Sequence, residues 1–246
     1  MSNTTVENVT ANGEEADIVG GILVEKPTVA IAKIEAKAGD KYYTTIELAM
    51  ADKDNNGAVE CLVEKTITLN DGEAYTYTKS VSGVNVEFTR TLIAGIWNPI
   101  YLPFAVELSK LSTENYDVAE FDSAEGDILT LKKITDATAT LEANKAYVIR
   151  HKDAETLTIT LENATLEAAT VEAEKLGEGF YVKGNYSVLE GSKLGAYDRI
   201  VSKDGEWAKL AGTSTLKPYR LILTIPATAS AISMRVEGED ATSIEN

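Results

Sequence analysis

The sequence has few of the residues on which metal, redox and acyl-transfer chemistry depend. One cysteine, Cys61, and one histidine, His151, occur among its 246 residues. A lone cysteine forms no internal disulfide and no Cys-based metal cluster, and the segment "AVECLVEKTITL" predicts a buried, inert strand position for Cys61. His151 ends a predicted strand, and no G-x-S-x-G segment is present to supply a nucleophile. The sequence therefore predicts a protein that is not an enzyme.

Positive charge is scarce as well. The chain has 23 Lys and Arg against 39 Asp and Glu, a formal charge of −16. Such a chain lacks the electrostatic attraction that draws proteins to phosphate backbones and anionic lipids. No stretch approaches the roughly 18 consecutive apolar residues of a membrane-spanning helix. We therefore expect no nucleic-acid partner and no membrane insertion.

Alternation of apolar and polar residues with a period of two dominates the chain. The pattern is clearest at 59–69, 84–92, 156–161 and 219–225. Strands separated by short turns, without crossover helices between them, favour antiparallel pairing. The sequence therefore predicts an all-β fold of antiparallel β-sandwich type, as one domain or two packed domains.

Turn-forming residues separate the predicted strands. They occur as "NDGE" at 70–73, "SGVN" at 82–85, "EGSKLGAYD" at 190–198 and "KDGE" at 203–206. The segment "ATLEAATVEAEKL" at 164–176 fits a helical stripe and a strand equally well, so its structure stays open at this point.

Composition suggests where the domains begin and end. Residues 1–17 contain no cation and almost no large apolar side chain, which predicts a flexible N-terminal segment. We expect an N-terminal β domain at 18–82, a C-terminal β-sandwich domain at 83–237 and a flexible tail at 238–246.

One segment has the opening of a calcium-binding loop. In "DKDNNG" the oxygens of Asp52, Asp54 and Asn56 are suited to a hard cation. The twelfth position is Val63 instead of a bidentate glutamate, which favours a polar hairpin turn. We predict no cofactor, with a surface calcium site here as the one metal hypothesis.

Aromatic rings offer a second kind of candidate site, because they stack on the apolar faces of sugars. Trp207 follows the "KDGE" turn and is predicted to be exposed, with Tyr42 and Tyr75 as further candidate glycan-binding rings. Trp97 and Tyr101 lie in an apolar stretch and are predicted to be core residues.

Carboxylates are abundant, and two of them placed a few ångströms apart are enough for glycoside hydrolysis. Most of the strand glutamates alternate with apolar residues and are therefore expected to line solvated faces. No pair stands out, so a carboxylate-pair glycosidase is the least favoured hypothesis. The glutamates expected to line solvated strand faces are Glu60, Glu64, Glu87, Glu155 and Glu162.

In the segment 67–108, the turn at Leu69 to Gly72, the strand end at Phe88 and Arg90, and the run from Trp97 to Phe104 resemble a β-domain of secreted and surface proteins of Bacteroidota. The hallmarks of that domain are an L-x-D-G turn, a strand ending in Y/F-x-R, and a W-N-x-I-x-L-P-F segment. The matching residues here are Leu69, Asp71, Gly72, Phe88, Arg90, Trp97, Asn98, Ile100, Leu102, Pro103 and Phe104.

Three downstream segments extend the resemblance to roughly residues 66–237. "LEANKAYVIR" at 141–150 is similar to the family's L-x-A-x-x-P-Y-L-I-R strand, with Ala146 in place of proline. "GFYVKGNYS" at 179–187 is similar to its F-x-G-x-Y hairpin. "LKPYRLILTI", which contains Tyr219 and Arg220, is similar to its final L-x-P-F/Y-R strand.

The resemblance implies location more than activity. Such domains are similar to C-terminal modules of surface or secreted proteins, often beside leucine-rich repeats or other adhesive parts, and they have no established catalytic residues. We therefore expect an exported, non-catalytic module with a structural, display or adhesive role, whose signal peptide is presumed removed. A glycan or another surface protein is the expected partner, and a carbohydrate-binding module is the alternative.

Physical chemistry gives these motif residues structural roles. Trp97 and Phe104 supply large apolar area, and Pro103 cannot donate a ladder hydrogen bond, so it belongs at an edge or a bulge. Arg90 and Arg220 lie among apolar strand residues, where a guanidinium is costly unless paired. We expect each arginine to bond a carboxylate or turn carbonyls.

Overall fold

A computed structural model describes residues 9–11, 14–19, 22–25, 31–55, 57–111, 116–151, 153, 156–229 and 231–237. Two short 3-10 turns, at Leu108–Leu111 and Gly191–Lys193, accompany one α-helix and a series of strands. In chain order the elements are β1 (Val9–Ala11), β2 (Glu14–Val19), β3 (Ile22–Glu25), β4 (Ile31–Lys33), β5 (Ala36–Ala38), β6 (Lys41–Tyr43), α1 (Ile46–Ala51), β7 (Val59–Cys61), β8 (Thr66–Asn70), β9 (Val81–Thr91), β10 (Asn98–Tyr101), β11 (Val106–Glu107), β12 (Tyr116–Glu125), β13 (Ile128–Lys133), β14 (Thr140–Leu141), β15 (Ala146–His151), β16 (Thr156–Leu166), β17 (Ala173–Gly177), β18 (Phe180–Asn185), β19 (Leu189–Glu190), β20 (Asp198–Val201), β21 (Trp207–Ala208), β22 (Thr215–Leu216), β23 (Arg220–Thr224) and β24 (Ser233–Glu237).

The chain divides into two compact units, at places the sequence did not predict. Unit 1 comprises residues 1–67, 77–86 and 161–168, and unit 2 comprises the remaining residues. The predicted domains at 18–82 and 83–237 are therefore corrected. The reason is that β9 and β16 are long strands whose two ends belong to different units, so no single chain position separates the domains.

Unit 1 is built on one extended sheet. Its strand order is β16-β9-β7-β5-β6-β1-β2-β3-β4, with β8 also paired to β9. Helix α1 follows β6 and was missed in the sequence, although Thr45 carries a capping signal. The Thr45 hydroxyl accepts a hydrogen bond from the Leu48 amide at 3.2 Å, and Glu47 lies in the first turn.

Part of the segment predicted to be flexible, 1–17, lies in strands. β1 and the first residues of β2 form an antiparallel hairpin, and β1 also pairs in parallel with β6 at Ala11 and Tyr42. Strand pairing uses backbone groups, so an acidic composition does not prevent it. Residues 1–8 and the predicted tail at 238–246 lie outside the described residues.

Unit 2 contains two five-stranded sheets, which gives it a sandwich-like, all-β character. One sheet has the order β10-β15-β12-β13-β24, the other β17-β18-β23-β20-β21, and two small ribbons pair β11 with β14 and β19 with β22. The all-β prediction is confirmed. Most pairs are antiparallel, as expected, but β1–β6, β7–β9 and β13–β24 are parallel.

The two sheets of unit 2 approach closely where β18 crosses β10. Gly184 on β18 lies against the ring of Tyr101 on β10, so close that a Cβ on Gly184 would come within 2.1 Å of ring carbons. Leu129 and Ile149 from the first sheet and Leu223 from the second are fully buried. This dense contact fixes the spacing of the layers that carry the motif residues.

Three of the predicted turns are present. Glu73 donates its amide to Asn70 in the "NDGE" turn, Asp198 donates to Gly195, and Gly205 has a φ of 86° in the "KDGE" hairpin between β20 and β21. The segment 164–176, which the sequence left open, comprises the end of β16, six residues without secondary structure and the start of β17, and it contains no helix.

The "SGVN" segment is not a turn, which corrects the prediction. Residues 82–85 lie inside β9. Gly83 has a φ of 77°, and a Cβ there would lie 2.8 Å from the Cys61 carbonyl oxygen. Glycine at this position therefore allows the backbones of β7 and β9 to approach closely. It also tolerates the positive φ that glycines in turns adopt.

The contact between Gly184 and Tyr101 makes a stability prediction. We expect Gly184→Ala to lower the free energy of unfolding by about 3 kcal/mol, because the added methyl must displace a buried ring. Urea titration followed by tryptophan fluorescence measures the change. Gly212→Ala is the control: nothing lies within 4 Å of its added Cβ, and we expect a change of about 0.5 kcal/mol or less. Equal midpoints for the two variants would contradict this account of the packing.

Candidate functional site

Two of the motif segments meet at a buried arginine in unit 2. Arg90 on β9 is only 3% exposed. Its Nη1 donates to the backbone carbonyls of Pro99, in the W-N-x-I-x-L-P-F segment, and of Tyr219, at 3.4 Å. Burial lowers the pKa of the Arg90 guanidinium, the nearby Arg220 charge lowers it further, and Asp71 acts in the opposite direction. An arginine remains charged in proteins, so the carbonyl dipoles must stabilise this cation.

A second arginine is paired directly with a carboxylate. Arg220 Nη2 lies 2.7 Å from Asp71 Oδ1, and Arg220 Nη1 donates to the Pro218 carbonyl at 3.1 Å. Lys217 Nζ reaches the other Asp71 oxygen at 3.4 Å from a much more exposed position. Both expectations for the arginines are therefore confirmed: one bonds carbonyls, and the other bonds a carboxylate and a carbonyl.

The residue between these arginine contacts has an unusual backbone. Tyr219 has a φ of 60°, in the left-handed region that costs a non-glycine residue free energy. Its amide donates to the Asn185 carbonyl at 2.6 Å, and its ring packs edge-on against Phe88, with centroids 5.3 Å apart. The conformation turns the Tyr219 carbonyl toward Arg90, so the strain is used to stabilise the buried charge.

Asn185 is a structural residue that sequence reasoning did not single out. It is 3% exposed, its Nδ2 donates to the Lys217 carbonyl at 2.9 Å, and its Oδ1 accepts the Ser187 amide at 2.9 Å. The available signal was a small polar residue directly after Gly184, at the end of a strand that also contains Phe180 and Val182. Its side chain joins the "GNYS" segment to the "KPYR" segment.

Asn98 closes the turn that precedes β10. Its Oδ1 accepts the Ile93 amide, and its Nδ2 donates to the carbonyls of Ile93 and Ile96, each at 3.0 Å. Pro103 lies just beyond the end of β10, outside the ladder as predicted, and Phe104 is fully buried against Phe88. These motif residues therefore have internal, structural partners.

The Trp97 ring packs against a charged side chain that is itself ion-paired. The Arg150 guanidinium lies 4.4 Å from the Trp97 ring centroid, a cation–π distance. Asp117 accepts from Arg150 at 2.7 Å and lies 2.5 Å from Lys133. Burial acts to raise the pKa of Asp117, but hydrogen bonds from Lys133 and Arg150 outweigh it and lower that pKa. Trp97 is 7% exposed, which confirms its predicted place in the core.

A cluster of four tyrosine rings lies in unit 2. Tyr186 packs against Tyr75, Tyr101 and Tyr219 with ring centroids 5.0 to 6.0 Å apart, and its hydroxyl donates to Asn144 at 2.6 Å. Burial raises the pKa of Tyr186, and it raises the pKa of Tyr101 to about 12. These hydroxyls are therefore neutral donors near neutral pH.

The predicted aromatic binding surface is not assembled. Trp207 and Tyr75 are 6% and 4% exposed, so the prediction that they present exposed rings is wrong. Trp207 does follow the hairpin turn, but its ring lies edge-on to Phe121, because burying so large an apolar surface is favourable even at a short strand. Tyr42 stays half-buried beneath Lys37, whose Nζ is 5.6 Å from the ring centroid.

The candidate calcium residues have other partners. Asp52 Oδ2 accepts from Lys41 Nζ at 2.8 Å and from the Tyr43 hydroxyl at 2.5 Å, and these bonds lower the pKa of Asp52. The Asp54 side chain points into solvent, and Asn56 lies outside the described residues. The segment joins α1 to β7, so the predicted hairpin turn is also corrected. A cation at Asp52 would have to displace the Lys41 ammonium.

His151 and Cys61 occupy the places the sequence predicted. His151 ends β15 and is 5% exposed, and its Nδ1 accepts a hydrogen bond from the Asp153 amide at 3.1 Å. Cys61 is 7% exposed on β7, with its Sγ 3.2 Å from the Val63 carbonyl. Both side chains are therefore buried and contact backbone groups two residues away in the chain.

The fold and the motif residues define an all-β protein whose second unit contains a buried arginine, Arg90, and a half-buried, ion-paired arginine, Arg220. Comparison with protein-family models, curated proteins and solved structures found no match in any of the three. Among the described residues, the helical segments are too short and too polar to cross a bilayer.

The ion pair between Arg220 and Asp71 can be tested by a single substitution. We expect Asp71→Asn to lower the free energy of unfolding by about 3 kcal/mol, since it leaves the largely buried Arg220 without its counter-charge. Lys217→Ala removes the exposed partner of the same carboxylate and should cost about 0.5 kcal/mol. Guanidinium titration of both variants measures the difference, and similar losses would show that the Arg220 contact has no special weight.

The Asp117 ion pairs predict a dependence of stability on pH. Because the folded pKa of Asp117 is lower than its ordinary value, its contribution is present at neutral pH and is lost as the pH falls through the folded pKa. We expect Asp117→Asn to be less stable than the parent at about pH 6 and to approach it near pH 2. Thermal unfolding across this range measures the effect. Glu125→Gln, an exposed change at the other end of β12, should leave the profile unchanged.

Proposed function

We propose that this chain is a non-catalytic, exported β-sandwich module of a bacterial surface or secreted protein, with a structural, display or adhesive role. The observation that supports it is the use made of the motif residues. The functional groups of Arg90, Asn98, Arg220 and Asp71 bond one another or backbone carbonyls and amides inside unit 2. Motif side chains that are bonded to other parts of the same unit hold its segments together. Such bonding gives a rigid scaffold, which a display module requires.

The absence of turnover is the first expectation of this proposal. We expect the purified chain to release no product from a panel of chromogenic glycosides and esters at any pH between about 4 and 9, a range that covers the ordinary acid–base catalysts. A commercial glycosidase and an esterase serve as positive controls. Reproducible turnover that survives a second purification would instead support the carboxylate-pair glycosidase.

Location is tested separately in the cells that make the protein. A membrane-impermeant biotinylation reagent should label exposed lysines of this chain, such as Lys217, on intact cells. A cytoplasmic enzyme in the same cells is the control and should stay unlabelled until lysis. Labelling that appears only after lysis would overturn the exported location.

The alternative of a carbohydrate-binding module no longer has its original support. Two of its three candidate rings, Trp207 and Tyr75, are buried in unit 2. Ligand recognition by this chain would therefore need a surface other than the aromatic one.

A further inference from the structure

A polar groove in unit 1 lies where the ladder of the sheet is interrupted. Glu60 on β7 pairs with Ser82 on β9, and the ladder resumes where the Asn85 amide donates to the Lys65 carbonyl at 2.8 Å. The segment 60–65 is longer than the stretch 82–85 beside which it runs, so the excess chain bulges away from β9. A groove of about 580 Å³ occupies this place, within the size range of ligand sites.

Two left-handed residues lie in this groove. Gly83 on β9 has a φ of 77°, and Asn163 on β16, the next strand of the sheet, has a φ of 49°. The backbone amide of Asn163 donates to Asn85 Oδ1 at 3.1 Å, so the two strands are joined at this place. Irregular backbone on two adjacent strands, at one place, is a feature that clusters at binding sites.

The lining combines amides, hydroxyls and carboxylates. Asn85 and Asn163 supply both donors and acceptors, and exposed Leu62 adds an apolar surface at the edge. Among the described residues, those that line the groove include two carboxylates and no cationic side chain. The remaining polar groups that line it are Glu60, Glu64, Ser82 and Thr165.

We propose that this groove binds a neutral oligosaccharide. Sugar hydroxyls both donate and accept, so they match neighbouring amides and hydroxyls and can donate to the two carboxylates. The negative charge repels phosphate, uronate and sialate groups, which excludes acidic glycans and nucleic acid. The Leu62 side chain covers the apolar face of one sugar ring. This assignment stands on the groove alone and does not depend on the chain being exported.

The proposal is tested by nuclear magnetic resonance titration of the full chain. Cellotetraose, maltotetraose and mannotetraose are the probes, each added to millimolar concentration. We expect at least one of them to shift the backbone amide signals of Leu62, Gly83 and Asn85 while the signal of Gly212 in unit 2 stays fixed. Tetragalacturonate is the acidic comparison and should cause no shift. The absence of shifts with all three neutral probes, or equal shifts with tetragalacturonate, would overturn the proposal.

Variants then locate the contacts. Asn163→Gly removes the side-chain amide, and glycine still adopts the left-handed backbone. We expect this variant to bind about fivefold more weakly, which is the effect of one lost hydrogen bond. Glu60→Gln should weaken binding about tenfold, since a charged acceptor is stronger than a neutral one. Glu162→Gln, an exposed carboxylate beside Asn163 that does not line the groove, is the matched control and should bind as the parent does. Unchanged affinity in both groove variants would show that the sugar binds elsewhere.

A cationic peptide is the competing occupant of an acidic groove. Tetralysine tests it under the same conditions. Shifts caused by tetralysine and by none of the neutral sugars would assign the groove to basic polypeptide and overturn the oligosaccharide proposal. Shifts caused by a neutral sugar, with an affinity weakened in Asn163→Gly and unchanged in Glu162→Gln, would establish it.

Discussion

The burial of the Arg90 guanidinium is the constraint on which unit 2 depends. A charge removed from water costs several kcal/mol unless dipoles or counter-charges replace its hydration. Here the carbonyls of Pro99 and Tyr219 face the cation, and Tyr219 adopts a left-handed backbone in doing so. Asn185 then holds the Tyr219 amide. One buried charge therefore dictates the conformation of segments that are distant in sequence.

The same requirement explains why the motif residues are spread along the chain. Arg90, Trp97 and Asn98 come from one region, and the "GNYS" and "KPYR" segments come from another more than eighty residues later. Their side chains interlock through hydrogen bonds and ring contacts rather than around an open cleft. A sequence signature of this kind marks a packing arrangement. In this protein, residue types that often act in catalysis stabilise a scaffold.

The two units use irregular backbone differently. In unit 2 one of the left-handed residues, Tyr219, is fully buried, and its carbonyl accepts a hydrogen bond from the buried Arg90. In unit 1 the left-handed residues Gly83 and Asn163 lie at a groove on the surface, beside amides and hydroxyls that remain accessible. The contrast agrees with the two proposals, a rigid scaffold in unit 2 and an oligosaccharide-binding groove in unit 1.

Local pattern determined the strands, because alternation with a period of two reports which face of a strand is buried, and most predicted strands and turns are present. It also placed Arg90, Arg220, Trp97 and Pro103 correctly, since a buried charge needs a partner and proline cannot donate a ladder bond. Tertiary structure decided the rest. Whether the ring of Trp207 folds inward depends on Phe121, eighty-six positions earlier, and "SGVN" is a strand because the Cys61 backbone lies against Gly83. The groove exists only because three segments of unequal length meet in one sheet, and no single segment contains that information.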